Sequence, residues 1–213
     1  MPINLIIFDL DGTLIDSKAD ITNALNYALR LNGHLPLTVE ETVKLIGDGA
    51  TRLVEKAVGS ALERQKIEKI RDEFLQRYDE HATELTKPYD GVIETLERLR
   101  AYRKVIVTNK PEGLAKKILR VLSMDGYFSA VLGPESVTNK KPSPEPLLKV
   151  MDMFGVQLDE AIIVGDSAND VESGRLAGIK TVAVLYGYGT RDSLNGADFI
   201  LYDKIDGLLS VIN

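Results

Sequence analysis

The sequence predicts an α/β protein, a doubly wound parallel sheet carrying an inserted block of helices. Three observations predict it. Short runs of branched apolar residues alternate with helical patterns through the latter part of the chain, and such alternation, closed by right-handed crossovers, builds a parallel sheet. One further run of this kind stands alone at the N-terminus, separated from the rest by a stretch with no strand pattern. The length, 213 residues, is about one and a half typical domains, which suits a core plus an insertion.

Asn4–Phe8 reads NLIIF and ends at Asp9, as a strand covered on both faces does. Ser17, with Asp20 three residues on, has the form of a capping box and is expected to open a helix through about Leu31. Thr38 and Glu41 repeat the signature ahead of Val43–Ile46. Gly47-Asp48-Gly49 breaks the pattern, after which Thr51–Val58 and a segment from Ala61 to about His81 are expected to be helical. Lys87-Pro88-Tyr89-Asp90-Gly91 is a turn that brings the chain back. Residues 1–16 and 86–213 are therefore expected to form the core, and 17–85 the helical insertion. In the core, strands are expected at Val105–Thr108, Ala130–Leu132, Ala161–Val164, Thr181–Leu185 and Phe199–Leu201. Helices are expected at Val92–Arg100, Gly113–Leu122, Glu145–Phe154 and Asn169–Ala177.

Composition excludes several kinds of chemistry. With 44% hydrophobic and 27% charged residues the chain has enough apolar surface for a packed core, and disorder is disfavoured. The absence of cysteine removes disulfides, thiolate nucleophiles and sulfur-ligated metals. Two histidines, His34 and His81, are too few for a multi-histidine metal centre. No apolar run approaches the roughly 20 residues that span a bilayer. The N-terminus lacks a basic segment and meets Asp9 too soon for a secretory signal; a cytoplasmic protein is expected, as a monomer or a homodimer. A net charge of −6 without a Lys/Arg stripe argues against nucleic acid and anionic membrane as partners. An anionic substrate then needs positive charge supplied locally.

Four segments carry the chemistry. Asp9-Leu10-Asp11-Gly12-Thr13 puts two carboxylates at the end of a buried strand. That arrangement is costly unless a cation neutralises it, and a hard divalent ion such as Mg²⁺ suits oxygen ligands; a solvated turn is the plainer reading of the pair by itself. Gly12 permits a tight turn or a close approach. Thr108-Asn109-Lys110 ends the second strand with a hydroxyl and an amide. Lys140-Lys141-Pro142-Ser143-Pro144 sets two cations before a rigid turn into a helix. Gly165-Asp166-Ser167-Ala168-Asn169-Asp170 is a second acidic group at a strand end, readable also as a helix cap paired with the helix dipole. Each is weak alone. All four lie on one edge of one sheet, where doubly wound folds place their ligands.

Taken together, DLDGT, VTN, KKPSP and GDSAND resemble the haloacid-dehalogenase-type phosphohydrolase superfamily, over essentially the whole chain. The insertion directly after the first motif matches that superfamily's C1-type cap. FDLDGTLIDS, the Gly-Asp-Gly turn and the Tyr186-Gly187-Tyr188 loop are similar to phosphoglycolate phosphatases within it. The resemblance implies a Rossmann-like core and a Mg²⁺-dependent phosphoric monoester hydrolase acting on a small phosphorylated metabolite, 2-phosphoglycolate before others. It implies that Asp9 is the nucleophile and forms an aspartyl phosphate, and that Asp11 serves as general acid and then as base. Dehalogenases of the family lack an acid at that second position, so Asp11 points to phosphate chemistry. Mg²⁺ is implied to sit on Asp9, the backbone carbonyl of Asp11 and Asp166, with Asp170 reaching it through water or orienting Lys141. Thr108 and the Asn109 N–H are implied to bind phosphate oxygens. Lys141 supplies fixed charge and is preferred to Lys140 because it directly precedes Pro-x-Pro.

The inserted helices are implied to close over the site as a lid, hinged at Leu14–Ser17 and Leu85–Tyr89. Gly47, Asp48, Gly49 and Arg52 are its candidate substrate contacts, against a plainer reading as helix ends and a solvated face. Two other functions remain open at this point. A sugar-phosphate mutase resembling β-phosphoglucomutase could share the scaffold, and isomerisation without phosphate release distinguishes it. A phospho-accepting signalling module also gathers acids, a Thr and a Lys around Mg²⁺, but the insertion and Asp11 speak against it.

Overall fold

The structure is a computed structural model that describes residues 2–59 and 62–212. Ala61, where the sequence pattern starts the last inserted helix, lies outside the described residues. The chain divides into two compact units, Met1–Asp16 with Pro88–Asn213, and Ser17–Lys87. The return to the first unit thus falls at Pro88 rather than at residue 86. No helix among the described residues is long and apolar enough to cross a membrane.

The first unit is built on a six-stranded sheet. In chain order its strands are β1 (Leu5–Phe8), β2 (Arg103–Val107), β3 (Ala130–Leu132), β4 (Ala161–Gly165), β5 (Lys180–Val184) and β6 (Phe199–Leu201). They lie in the order β3-β2-β1-β4-β5-β6, and every pairing is parallel. β1 is central and wholly buried, which is why its residues are apolar without alternation. Leu5 and Ile7 pack with Val105, Val107 and Ile163 against Leu147, Val150 and Met151 of the helix Glu145–Phe154. Each such side chain contributes about 1.5–3 kcal/mol on burial.

The register decides where the chemistry falls. Phe8 is level with Ile106 of β2 and with Val164 of β4. The residues that leave these strands, Asp9, Thr108 and Asp166, therefore emerge along one edge. Here the chain also reverses its direction of winding, since β2 and β4 flank β1 on opposite sides, and this is where such sheets open a crevice. The remaining helices of this unit are Val92–Arg98, Glu112–Val121, Ala168–Ala177 and Leu208–Ile212.

The second unit is helical: α1 (Lys18–Leu31), α2 (Val39–Val43), α3 (Ala50–Val58) and α4 (Arg64–His81). α1 and α4 make its main packing. Ile67, Ile70, Phe74 and Tyr78 form the buried stripe of α4, at the three- and four-residue spacing of an amphipathic helix. The Thr38 capping box forms: the Glu41 N–H donates to Thr38 Oγ1 at 3.1 Å and the Thr38 N–H to Glu41 Oε2 at 2.8 Å. The box expected at Ser17 does not form, for the Ser17 side chain makes no capping hydrogen bond to α1. Its intended partner is engaged elsewhere. Asp20 is buried and accepts from the N–H groups of Leu85 (3.0 Å) and Thr86 (2.8 Å) and from Thr86 Oγ1 (2.7 Å). Three donors to a desolvated carboxylate outweigh one cap contact.

Candidate active site

Asp9 is held at the end of β1 by one more rung of the ladder, its N–H donating to Val164 O at 2.9 Å. The chain then turns through Gly12, whose φ of +84° lies in the left-handed region. A Cβ at Gly12 would stand 2.2 Å from Asp166 Oδ2, so both the turn and the approach of the second acidic segment require glycine. Asp166 is gripped from two sides. Thr13 Oγ1 donates to its Oδ1 at 2.8 Å, and the Tyr188 N–H donates to its Oδ2 at 2.8 Å. Tyr186 in turn donates its hydroxyl to Thr13 O at 2.8 Å. The late Tyr-Gly-Tyr loop thus braces this carboxylate.

Asp9, Asp166 and Asp170 present carboxylate oxygens that all lie within 4.8 Å of one another. Lys141 Nζ stands 2.9 Å from Asp9 Oδ1 and 2.6 Å from Asp170 Oδ1. The other oxygen of Asp170 accepts from the N–H (3.0 Å) and the hydroxyl (2.6 Å) of Ser167. Asp170 therefore both orients Lys141 and caps its own helix, so the two readings of this segment hold together. Asn109 Nδ2 donates to Lys141 O at 2.9 Å, and Thr108 Oγ1 accepts from the Lys110 N–H at 3.2 Å.

Three carboxylates face one ammonium in a space nearly closed to water. Burial pushes Asp9 up to about 6; Lys141 opposes the rise, while Asp170 and Asp11 add to it. Asp166 is driven well above the ordinary carboxylate range by burial first, then by Asp9 and Asp170. Burial works against the charge on Lys141, yet Asp170 and Asp9 hold its ammonium above the usual lysine value. Asp9 Oδ1 is buried with no hydrogen bond, met only by the Lys141 ion pair. An all-oxygen donor set with surplus negative charge fits a hard divalent cation.

Asp11 occupies a different environment. Lys110 Nζ bridges both its oxygens, at 2.8 and 2.7 Å. The side chains of Lys110 and Asp11 are only 4% and 12% exposed. Sequence reasoning gave Lys110 no part. The signal available was its place directly after the Thr-Asn pair that ends β2. In the helical unit, Gly49 leads into α3, Asp48 pairs with Lys56 at 2.6 Å, and Arg52 pairs with Glu55 at 2.6 Å. Gly47, with φ +119°, sits in the same turn. The structure thus assembles Asp9, Asp11, Thr108, Asn109, Lys141, Asp166 and Asp170 on the core's strand edge, and it gives the charged cap candidates partners of their own.

The crowding has a measurable consequence. A carboxylic acid with a raised folded-state pKa binds its proton more tightly folded than unfolded, so stability without metal rises as pH falls and declines as pH increases. Asp166→Asn removes one charge and can keep both contacts, its carbonyl facing the Tyr188 N–H while its amide donates to the Thr13 hydroxyl. In EDTA at pH 7.5 we expect its Tm to exceed that of the parent by about 2–4 °C. Its stability also varies less between pH 5 and 8. Calorimetry checks this, and a lower Tm in EDTA would contradict an electrostatically strained cluster.

The sequence matches the family model for haloacid dehalogenase-like hydrolases over residues 6–184. It is 40% identical over 186 residues to a phosphoglycolate phosphatase from Aquifex aeolicus, covering 86% of this chain and 85% of that one. It is 38% identical over 191 residues to an N-acetylmuramic acid 6-phosphate phosphatase from Pseudomonas aeruginosa, covering 88% and 84%. A crystal structure of a predicted phosphoglycolate phosphatase from Haemophilus somnus superposes with a TM-score of 0.93 at 31% identity, covering 99% of this chain and 98% of that one.

Proposed function

Because the chain belongs to the haloacid dehalogenase-like hydrolase family and is a phosphoric monoester hydrolase, we propose that its substrate is 2-phosphoglycolate and its nucleophile Asp9. The observation that carries the reading is the division of the two DxD carboxylates: Asp9 faces Lys141, whereas Asp11 faces Lys110. Two acids in unlike environments can take unlike roles. Asp9 attacks phosphorus in line, a bond to its carboxylate oxygen forms, and the bond to the ester oxygen breaks. The ester oxygen keeps the electron pair and takes a proton from Asp11. Asp11 then accepts a proton from the water that attacks the aspartyl phosphate, which frees phosphate and restores Asp9.

Thr108 and the Asn109 N–H hold phosphate oxygens at the end of β2, and Lys141 gives the phosphoryl group a fixed positive charge. Asp9, Asp166 and the backbone carbonyl of Asp11 would hold Mg²⁺, with Asp170 behind Lys141. When bound, it supplies the charge that offsets the carboxylates and the phosphate dianion. A cytoplasmic location accords with small-metabolite chemistry.

The test is turnover with and without metal on a panel of phosphate esters. EDTA lowers phosphate release from 2-phosphoglycolate by at least about 100-fold and Mg²⁺ restores it; an unchanged rate under chelation sinks the metal assignment. In the panel, kcat/KM for 2-phosphoglycolate exceeds that for glucose 1-phosphate by at least about 100-fold. A second reading rests on the relative that hydrolyses N-acetylmuramic acid 6-phosphate, and a higher kcat/KM for that ester establishes it instead. Isomerised sugar phosphate without release of phosphate favours the mutase.

A further inference from the structure

Strand β5 runs beside β4 with Ala183 level with Gly165, so the chain that leaves β5 comes alongside the segment that leaves β4. There Tyr186-Gly187-Tyr188-Gly189 lies against Asp166. A Cβ at Gly187 would stand 2.3 Å from Gly12 O and 2.4 Å from Asp166 Cβ, and one at Gly189 would stand 2.0 Å from Asp166 O. The Tyr186 hydroxyl donates to Thr13 O at 2.8 Å, and the Thr13 hydroxyl donates to Asp166 Oδ1 at 2.8 Å. The next carbonyl, Leu14 O, accepts from the Tyr89 N–H at 3.1 Å. Tyr89 also packs on the Tyr186 ring, with centroids 4.9 Å apart. A phenylalanine at position 186 would fill the same ring space and spare the desolvation of a hydroxyl. Packing alone therefore gives no reason for the oxygen.

We infer that Tyr186 is a positioning residue for the metal site, fixing Asp166 through Thr13 so that the carboxylate favours Mg²⁺ over a larger divalent ion such as Ca²⁺. This rests on Asp166 being a ligand to the ion. Each carboxylate oxygen offers about two lone-pair sites. Thr13 takes one on Oδ1 and the Tyr188 N–H takes one on Oδ2, which leaves a site on each for an ion while removing the freedom to rotate. Mg²⁺ demands near-ideal octahedral geometry with oxygens at about 2.0–2.1 Å, whereas Ca²⁺ accepts irregular sets of oxygens at about 2.3–2.6 Å. A carboxylate held by both oxygens suits the first ion. One that can swing loses little for the second. Groups standing behind a metal ligand are worth about 10- to 100-fold in affinity. The Tyr186 hydroxyl acts through Thr13 rather than on Asp166 directly, so the low end of that range applies.

The experiment strips each variant of metal with EDTA, dialyses it, and titrates it with MgCl₂ and with CaCl₂ in a calorimeter, which reads binding without turnover. In Tyr186→Phe the Kd for Mg²⁺ rises about 10-fold, while that for Ca²⁺ changes by no more than about 2-fold. Thr13→Val shifts the balance in the same direction and at least as far, since it removes the donor to Asp166 itself. Thr13→Ser keeps a hydroxyl and retains the parent's ratio. The double variant of Thr13→Val with Tyr186→Phe binds Mg²⁺ no more weakly than Thr13→Val alone, because the tyrosine acts through the threonine. An unchanged Mg²⁺ Kd in Tyr186→Phe, or equal losses for both ions, overturns the inference and leaves the metal assignment standing. Additive losses in the double variant overturn it too, for the tyrosine then acts by another route. A parent that binds no Mg²⁺, or Asp166→Asn binding it as tightly as the parent, overturns the metal assignment and this inference with it. Circular dichroism certifies the fold of each variant. Should Tyr186→Phe fail to fold, Thr13→Val read against Thr13→Ser decides: a selective loss of Mg²⁺ sustains the relay, and its absence leaves Tyr186 no route to the ion.

Discussion

Asp9→Asn is expected to lower phosphate release by at least about 10⁴-fold, as removal of a covalent nucleophile does, whereas Asp11→Asn loses about 10²–10⁴-fold on an ester with a poor leaving group. The two losses differ in kind, and p-nitrophenyl phosphate separates them. Its leaving group departs without a proton, so Asp11→Asn still forms the aspartyl phosphate but cannot activate water to clear it. Rapid mixing then gives a burst of p-nitrophenolate close to one equivalent, followed by a slow steady state. Asp9→Asn gives no burst, because no acceptor remains. Asp9 is also a proposed metal ligand, so any Mg²⁺-induced rise in Tm is measured in both variants; Asp11→Asn is expected to retain it, since the contact proposed for Asp11 is its backbone carbonyl. Full turnover by Asp9→Asn would falsify the covalent route.

The parts of this molecule legible in its sequence are those whose physics is local. Buried strands of a parallel sheet are apolar at every position, so NLIIF and AIIV identified themselves, and Leu5–Phe8 and Ala161–Gly165 form where expected. The Thr38 capping box is a three-residue affair and appears as read. What was misread depends on partners far away in the chain. Asp20 looked like a cap residue because its true donors, Leu85 and Thr86, lie 65 and 66 residues on. Lys110 has no role legible in the sequence, because its partner Asp11 is 99 positions upstream. The Tyr186-Gly187-Tyr188 loop carries only a family likeness in the sequence, and its hydrogen bonds to Asp166 and Thr13 reveal a bracing role. Leu208–Ile212 was missed because one helical turn with buried residues at each end is too short to have a period.

Lys141→Met is expected to be the most destabilising single change at the site. Methionine fills most of the lysine's volume, so little is lost in packing and the cost is electrostatic. Removing one partner of a buried ion pair costs about 3–5 kcal/mol, because the other partner is left desolvated and unmatched. For a chain of this size that lowers Tm by roughly 6–20 °C. The loss depends on pH in a defined sense. Asp9 already stands at about 6 with Lys141 holding it down, and without the ammonium it rises further. The folded variant then binds a proton that the unfolded chain releases at neutral pH, so its stability increases as pH falls toward 5 and decreases as pH rises. Asp170→Asn added to Lys141→Met removes the second unmatched carboxylate. The double variant should recover part of the lost stability, a coupling of about 0.5–3 kcal/mol in the double-mutant cycle. It should stay inactive, because the charge that faced the nucleophile is still absent. Additive losses would mean that Lys141 contributes packing alone. Recovered stability without recovered turnover assigns the lysine both tasks, holding the carboxylates together in the resting protein and meeting the phosphoryl group in the working one.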